Sequence, residues 1–218
     1  MVKRFLLSFL AVVVYMGIFA LILLPLTLAY KSDDRMMVTI VLSATALFLL
    51  GFIPGLDFVA KKIWVFKTEE KSTIGEEELR KRILEINEFD VPVVVEEKGS
   101  RLVVTWKYLD AKWWEIISKN RMKKVYQLIV KLDGEKKLAT LIDVNKFVMW
   151  GVGPTSVKVF GGYFRGIMVA FEIGKRWGIK ENFSVGKIYD YKFNPSEIKN
   201  PVMNTILKSG WDVRFGIW

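Results

Sequence analysis

Hydrophobic and polar positions divide the chain into two regimes. From Phe5 to Tyr30 only tyrosine among the side chains is ionisable, and from Met36 to Leu56 none is. Each run supplies the ~20 apolar residues that a helix needs to cross the hydrocarbon core of a bilayer. Between them lie five residues, Lys31 to Arg35, four of them charged. The pattern predicts a transmembrane helical hairpin in residues 1–60, with spans at about 5–30 and 36–56. Pro25 should kink the last turns of the first span, which a membrane helix tolerates when neighbours satisfy the freed carbonyl. A cleaved leader is the competing reading of Lys3 and Arg4, but leader cores hold roughly 7–15 apolar residues and this run is far longer.

Beyond the second span the pattern loosens. Lys61-Lys62-Ile63-Trp64-Val65-Phe66-Lys67 mixes cations with aromatic and aliphatic residues, as expected at the headgroup level. Residues 61–74 therefore read as an interfacial segment and linker, with a polar boundary from Thr68 to Ser72. Thr73 and Glu76 have the spacing of a capping box, and Leu79, Ile83 and Ile86 recur at helical spacing, which predicts a short amphipathic helix over about 75–87.

From Val91 the period becomes two. Leu102, Val104, Trp106 and Tyr108 alternate with other residues, and so do Met122 to Leu132; Asp133-Gly134 then supplies a turn before Leu138, Thr140 and Ile142, as in a β-hairpin. Further strands are predicted at 146–150, 155–160, 163–173, 185–193 and 211–217. Asn194 as cap, Pro195 at the first helical position and Glu197 in the first turn predict a second helix ending near Gly210. The expected fold is thus a two-helix transmembrane hairpin followed, over 75–218, by a basic α+β domain dominated by antiparallel strands with two short helices.

Small residues at Ser43 to Ala46, with Gly17 and Ala20, are expected to seat the two spans against each other, because small side chains let helix backbones approach in lipid. Gly51 and Gly55 form a glycine pair spaced by four, but Pro54 intervenes, so they are set aside. Neither span contains a charged residue, so the hairpin offers no ion path and reads as an anchor.

Charge adds orientation. Lys3 and Arg4 precede the hairpin and Lys61, Lys62 and Lys67 follow it, against Lys31 and Arg35 in the connection. Cations near short loops are retained inside, so both termini are expected to be cytoplasmic in a multi-pass protein of the cell membrane. Of 33 basic and 23 acidic residues, 29 and 20 lie after position 60, so the polar part carries most of the net charge of +10.

Composition excludes much chemistry. With no cysteine and no histidine, the chain has no disulfide, no thiol nucleophile, no imidazole acid or base, and no zinc site of the usual kind. One glutamine alongside abundant lysine and glutamate resembles thermophile composition.

Candidate chemistry concentrates in Arg101 to Lys124, where seven cations and two acids are interleaved with Trp106, Tyr108, Trp113 and Trp114. Cations attract phosphate and aromatic faces stack on bases or sit among headgroups, so the mixture suits an anionic membrane surface or, less well, nucleic acid. The residues singled out for an anionic surface are Lys107, Lys112, Trp113, Trp114, Lys119, Arg121, Lys123 and Lys124; the plainer reading makes Trp106 core and the lysines a solvated face.

Other patterns count for less. Ser196 and Lys199 have Ser-x-x-Lys spacing without its companion elements, and a surface helix explains them better. Asp143 and Glu172 each follow an apolar run, where a carboxylate could have a raised pKa, but predicted strand ends are ordinarily exposed. Gly174-Lys175 and Gly186-Lys187 do not complete a phosphate loop, and Trp150 to Pro154 reads as a tight turn.

These features predict a membrane-tethered binding or assembly module, whose partners are the bilayer, anionic headgroups or a membrane protein, and for which no cofactor or metal is expected. The alternatives are a membrane-associated hydrolase or transferase working with Asp, Glu, Lys or Ser, and an accessory subunit of a membrane complex.

Overall fold

The computed structural model describes residues 2–28, 35–107, 124–150, 157–166, 179–183 and 195–217. They fall into two compact units, Met1–Trp64 and Val65–Trp218.

The first unit is a helix pair, α1 (Val2–Leu28) and α2 (Arg35–Ile63), each long and apolar enough to cross a membrane by length and composition. α2 runs seven residues past the expected Leu56, and its added turns carry Asp57, Lys61 and Lys62. Aromatic side chains form the seam. Phe19 stacks on Phe48 with ring centroids 3.8 Å apart, and Tyr15 lies against Phe48 and Phe52 while donating its hydroxyl proton to the Phe48 carbonyl at 3.0 Å. A Cβ at Gly51 would stand 3.2 Å from the Tyr15 hydroxyl oxygen, so this glycine makes room for the tyrosine. The expectation that Gly17 would seat the helices is corrected: nothing lies within 4 Å of where its Cβ would be.

The second unit is a seven-stranded sheet with helices against it. In chain order it comprises β1 (Val65–Phe66), α3 (Glu76–Leu84), a 3-10 turn (Glu85–Glu88), β2 (Val93–Lys98), β3 (Arg101–Trp106), β4 (Lys124–Asp133), β5 (Leu138–Trp150), β6 (Val157–Gly166), the single turn α4 (Ile179–Asn182), α5 (Pro195–Lys208) and β7 (Asp212–Phe215). Strand order is β1-β7-β5-β4-β3-β2, with β6 also paired to β5. Neighbours are antiparallel except β5 and β7, which run parallel from Leu138↔Asp212 to Leu141↔Phe215, so the sheet is mixed.

Strand alternation sorts side chains between faces. Val93, Val95, Leu102, Val104, Trp106, Tyr126, Leu128, Val130, Ala139, Leu141, Val213 and Phe215 share one register and are buried. Leu79, Ile83 and Ile86 of the α3 region, and Ile198, Val202 and Ile206 of α5, complete this core. A smaller cluster on the opposite face joins Val103, Ile129, Ile142 and Val144.

Several local expectations are revised. The strand expected at 146–150 continues β5, with an irregularity between Lys146 and Val148. The strands expected at 155–160 and 163–173 begin as one, β6, which passes through Gly161-Gly162. The β4–β5 turn spans four residues, and its left-handed position is Lys137, φ 48°, rather than Gly134. No capping box forms either: Gly75 is the cap residue of α3, Thr73 Oγ1 donates to the Gly210 carbonyl, and Glu76 pairs with Arg80. The strand expected at 185–193 lies outside the described residues.

The expected linker is not a linker. Thr68 to Ile74 is stitched to residues 207–212: Thr68 N donates to Asp212 Oδ1 at 3.0 Å and Thr68 Oγ1 to the Leu207 carbonyl at 2.6 Å. Ile74 N donates to the Ser209 carbonyl at 3.2 Å, and the Trp211 indole donates to the Ile74 carbonyl at 3.0 Å. Gly210, at φ 78°, lets this strap approach closely, since a Cβ there would meet the Ser72 carbonyl oxygen at 2.1 Å.

Candidate functional site

The basic and aromatic stretch is described only at its ends. Lys107 is half-buried and its backbone N–H donates to the Pro92 carbonyl at 2.7 Å, closing the end of β3. Lys124 opens β4 opposite Phe147. Lys112, Trp113, Trp114, Lys119, Arg121 and Lys123 lie outside the described residues, as do Glu172, the Gly174-Lys175 and Gly186-Lys187 pairs, and all but the first residue of 150–154. Trp106 is buried at 2% exposure, as the core reading of that residue expects, and Trp64 and Trp211 are buried too.

A polar cluster appears instead where the sequence points to surface. Asp143 on β5 is 3% exposed and Lys199 on α5 is 0% exposed. The Lys199 amine donates to Asp143 Oδ2, and the Tyr126 hydroxyl donates to Asp143 Oδ1 at 2.6 Å. The amine also lies 4.6 Å from the centre of the Phe215 ring, a cation–π contact that favours the charged form. Burial nevertheless pushes the Lys199 pKa down from its ordinary value, and the Asp143 carboxylate partly opposes this by charge and hydrogen bond. Asn200, next along α5, is 3% exposed, and its side-chain oxygen has no hydrogen-bond partner among the described residues.

Register explains the arrangement. Leu128 pairs with Asp143 and Tyr126 with Asn145, so Tyr126 and Asp143 are diagonal neighbours on the face that α5 covers. On α5, Lys199 stands three, four and seven residues before Val202, Met203 and Ile206, all buried. That i, i+3, i+4, i+7 spacing places the lysine in the apolar stripe, which was the available sequence clue to its burial. Both expectations of surface exposure, for Asp143 and for Lys199, are therefore corrected.

A separate cleft of about 380 Å³ lies beside α3, α4 and α5, lined by Glu78, Arg82, Glu85, Ile179, Lys180, Thr205, Lys208 and Ser209. Its charges are largely matched within the cleft: Arg82 pairs with Glu78 at 3.3 Å and Lys180 with Glu85 at 3.9 Å. Thr205 Oγ1 accepts from the Ile179 N–H at 2.9 Å, and Arg82 donates to Ser209 Oγ at 3.3 Å. None of Tyr126, Asp143 or Lys199 lines it. The described residues contain no group of three or more acidic side chains placed to hold a metal ion.

No protein-family model, curated protein or solved structure matches the chain. Function therefore rests on the chemistry of the two units.

Proposed function

We propose that the chain is a membrane-tethered binding module: α1 and α2 anchor it, and a basic α+β domain works at the inner face of the bilayer. One observation supports the anchor above all. Every exposed large apolar side chain among the described residues lies between Phe5 and Phe58, and several, among them Leu21, Leu28, Met36 and Leu50, are more than 70% exposed. Water would penalise that surface at about 25 cal/mol per Å², whereas lipid tails would cover it without penalty. Among the domain residues whose side chains the structure describes, no large apolar one is exposed.

Covalent connection supports a role at the surface. A single residue, Trp64, separates the end of α2 from β1, and the strap that follows is bonded into the domain rather than free. With most of the net positive charge in this unit, each well-placed cation adds about 1 kcal/mol at an anionic surface. The Arg101 to Lys124 stretch is the contact region in this reading, through Lys107, Lys112, Trp113, Trp114, Lys119, Arg121, Lys123 and Lys124.

The buried Tyr126, Asp143 and Lys199 serve the fold in this account. They are sealed from solvent and stand apart from the cleft, whereas acid–base or nucleophilic work requires access to substrate.

The test uses the full chain in nanodiscs of zwitterionic lipid, with and without an anionic component. Hydrogen exchange across residues 107–124 should slow when anionic lipid is present and recover in high salt. Identical exchange in both discs would rule out headgroup contact by this stretch.

A further inference from the structure

We infer that the end of the helix pair where α1 begins and α2 finishes is a binding surface for the phosphate of anionic phospholipids, with Lys3 and Lys62 as its outward cations. The inference rests on the membrane-anchored reading, but it concerns the hairpin and not the Arg101 to Lys124 stretch.

The Trp64 indole donates to Ser8 Oγ at 3.0 Å, which sets the first turns of α1 beside the last turn of α2. Trp64 is 3% exposed, and its backbone N–H still bonds to the Ala60 carbonyl at 2.9 Å, so the helical path reaches this contact. Four cations, Lys3, Arg4, Lys61 and Lys62, lie within a turn or so of the two bonded residues, and the acid on these turns is Asp57.

Pairing decides which cations face outward. Lys61 is held by Asp57, whose residue is only 8% exposed, so that carboxylate is committed inside the pair. Lys3 and Lys62 are exposed. The Lys62 amine lies 5.8 Å from the centre of the Phe58 ring, and Phe58 is itself exposed. A lysine near the end of a membrane span can keep its methylenes in hydrocarbon while its amine reaches the headgroups. The opposite end has no such excess, because Lys31 and Arg35 are matched by Asp33 and Asp34.

A zwitterionic headgroup carries its own cation beside the phosphate and offers these lysines little net attraction. An anionic headgroup does not, so the surface should enrich anionic lipid around the hairpin. At about 1 kcal/mol per cation near the surface, each of the two contributes up to roughly fivefold in lipid preference.

The experiment measures the association of spin-labelled phosphatidylglycerol relative to spin-labelled phosphatidylcholine with the full chain in nanodiscs. The native chain should prefer phosphatidylglycerol severalfold, and Lys3→Gln with Lys62→Gln should cut that preference by at least half. Lys98→Gln with Lys136→Gln, exposed lysines of the domain outside the Arg101 to Lys124 stretch, should leave the ratio unchanged. A native ratio of one, or a preference that Lys3→Gln with Lys62→Gln leaves undiminished, overturns the proposal. Failure of the anchor itself is recognised separately, by release of the chain from membranes in alkaline carbonate.

Discussion

Lys199 is the residue whose environment departs furthest from its sequence context. Removing one partner of a buried ion pair leaves the other charge uncompensated, which costs about 3–5 kcal/mol. Lys199→Met should therefore destabilise the domain by that amount in thermal or denaturant unfolding of the detergent-solubilised chain, and Asp143→Leu beside it should recover most of the loss. Near-additive losses in the double variant would mean that the two residues act independently.

The pair also carries a pH dependence with a definite sign. Because burial lowers the Lys199 pKa below its ordinary 10.5, the unfolded chain binds that proton more tightly than the folded one. This contribution to stability therefore rises with pH and is complete once the ordinary value is passed. The stability of the native chain relative to Lys199→Met should improve as pH climbs towards 10.5, and a fall would contradict the assignment. At Gly210 the constraint is steric: φ 78° and a Ser72 carbonyl oxygen 2.1 Å from any Cβ forbid a side chain, so Gly210→Ala should cost at least 1–3 kcal/mol and loosen residues 68–74 in hydrogen exchange.

Among the elements, β2 shows how an edge strand is closed. Asn87, in the turn after α3, donates from Nδ2 to the Val95 carbonyl and accepts from the Val95 N–H, both at 2.9 Å, so one amide occupies the pairing position a further strand would take. Asn87→Ala should speed exchange at Val95 and cost about 1–2 kcal/mol. Unchanged protection at Val95 would show that the edge is satisfied in another way.

Local periodicity made most elements legible. The apolar runs found α1 and α2, Leu79, Ile83 and Ile86 found α3, and the alternation of β3 to β5 was plain. What stayed hidden depends on partners distant in sequence. The strap looks like a polar linker because its bonds go to residues 207–212, and β7 looks like one more antiparallel strand because nothing local marks its parallel pairing with β5. Asp143 was legible as a carboxylate following an apolar run, whereas Lys199 was read as part of a surface helix, and their meeting required β5 and α5 to be packed together. At Gly17 the seam was misread for a related reason: a small residue invites close backbone approach, yet nothing stands near Gly17, and Tyr15, Phe19 and Phe48 pack between the helices.

At the scale of the whole molecule, the proposed anchor and the domain are two compact units, and the exposed large apolar side chains among those described lie in the helix pair. The absence of cysteine makes the proposed topology directly measurable, because one introduced thiol is the only thiol present. Ser100→Cys reports the exposed β2–β3 turn of the domain, and Ser32→Cys reports the connection between the helices. In intact cells a membrane-impermeant maleimide should modify Ser32→Cys and leave Ser100→Cys untouched until the cells are permeabilised. Labelling of Ser100→Cys from outside, or equal access to both positions before permeabilisation, would contradict a hairpin that crosses the bilayer with both termini inside.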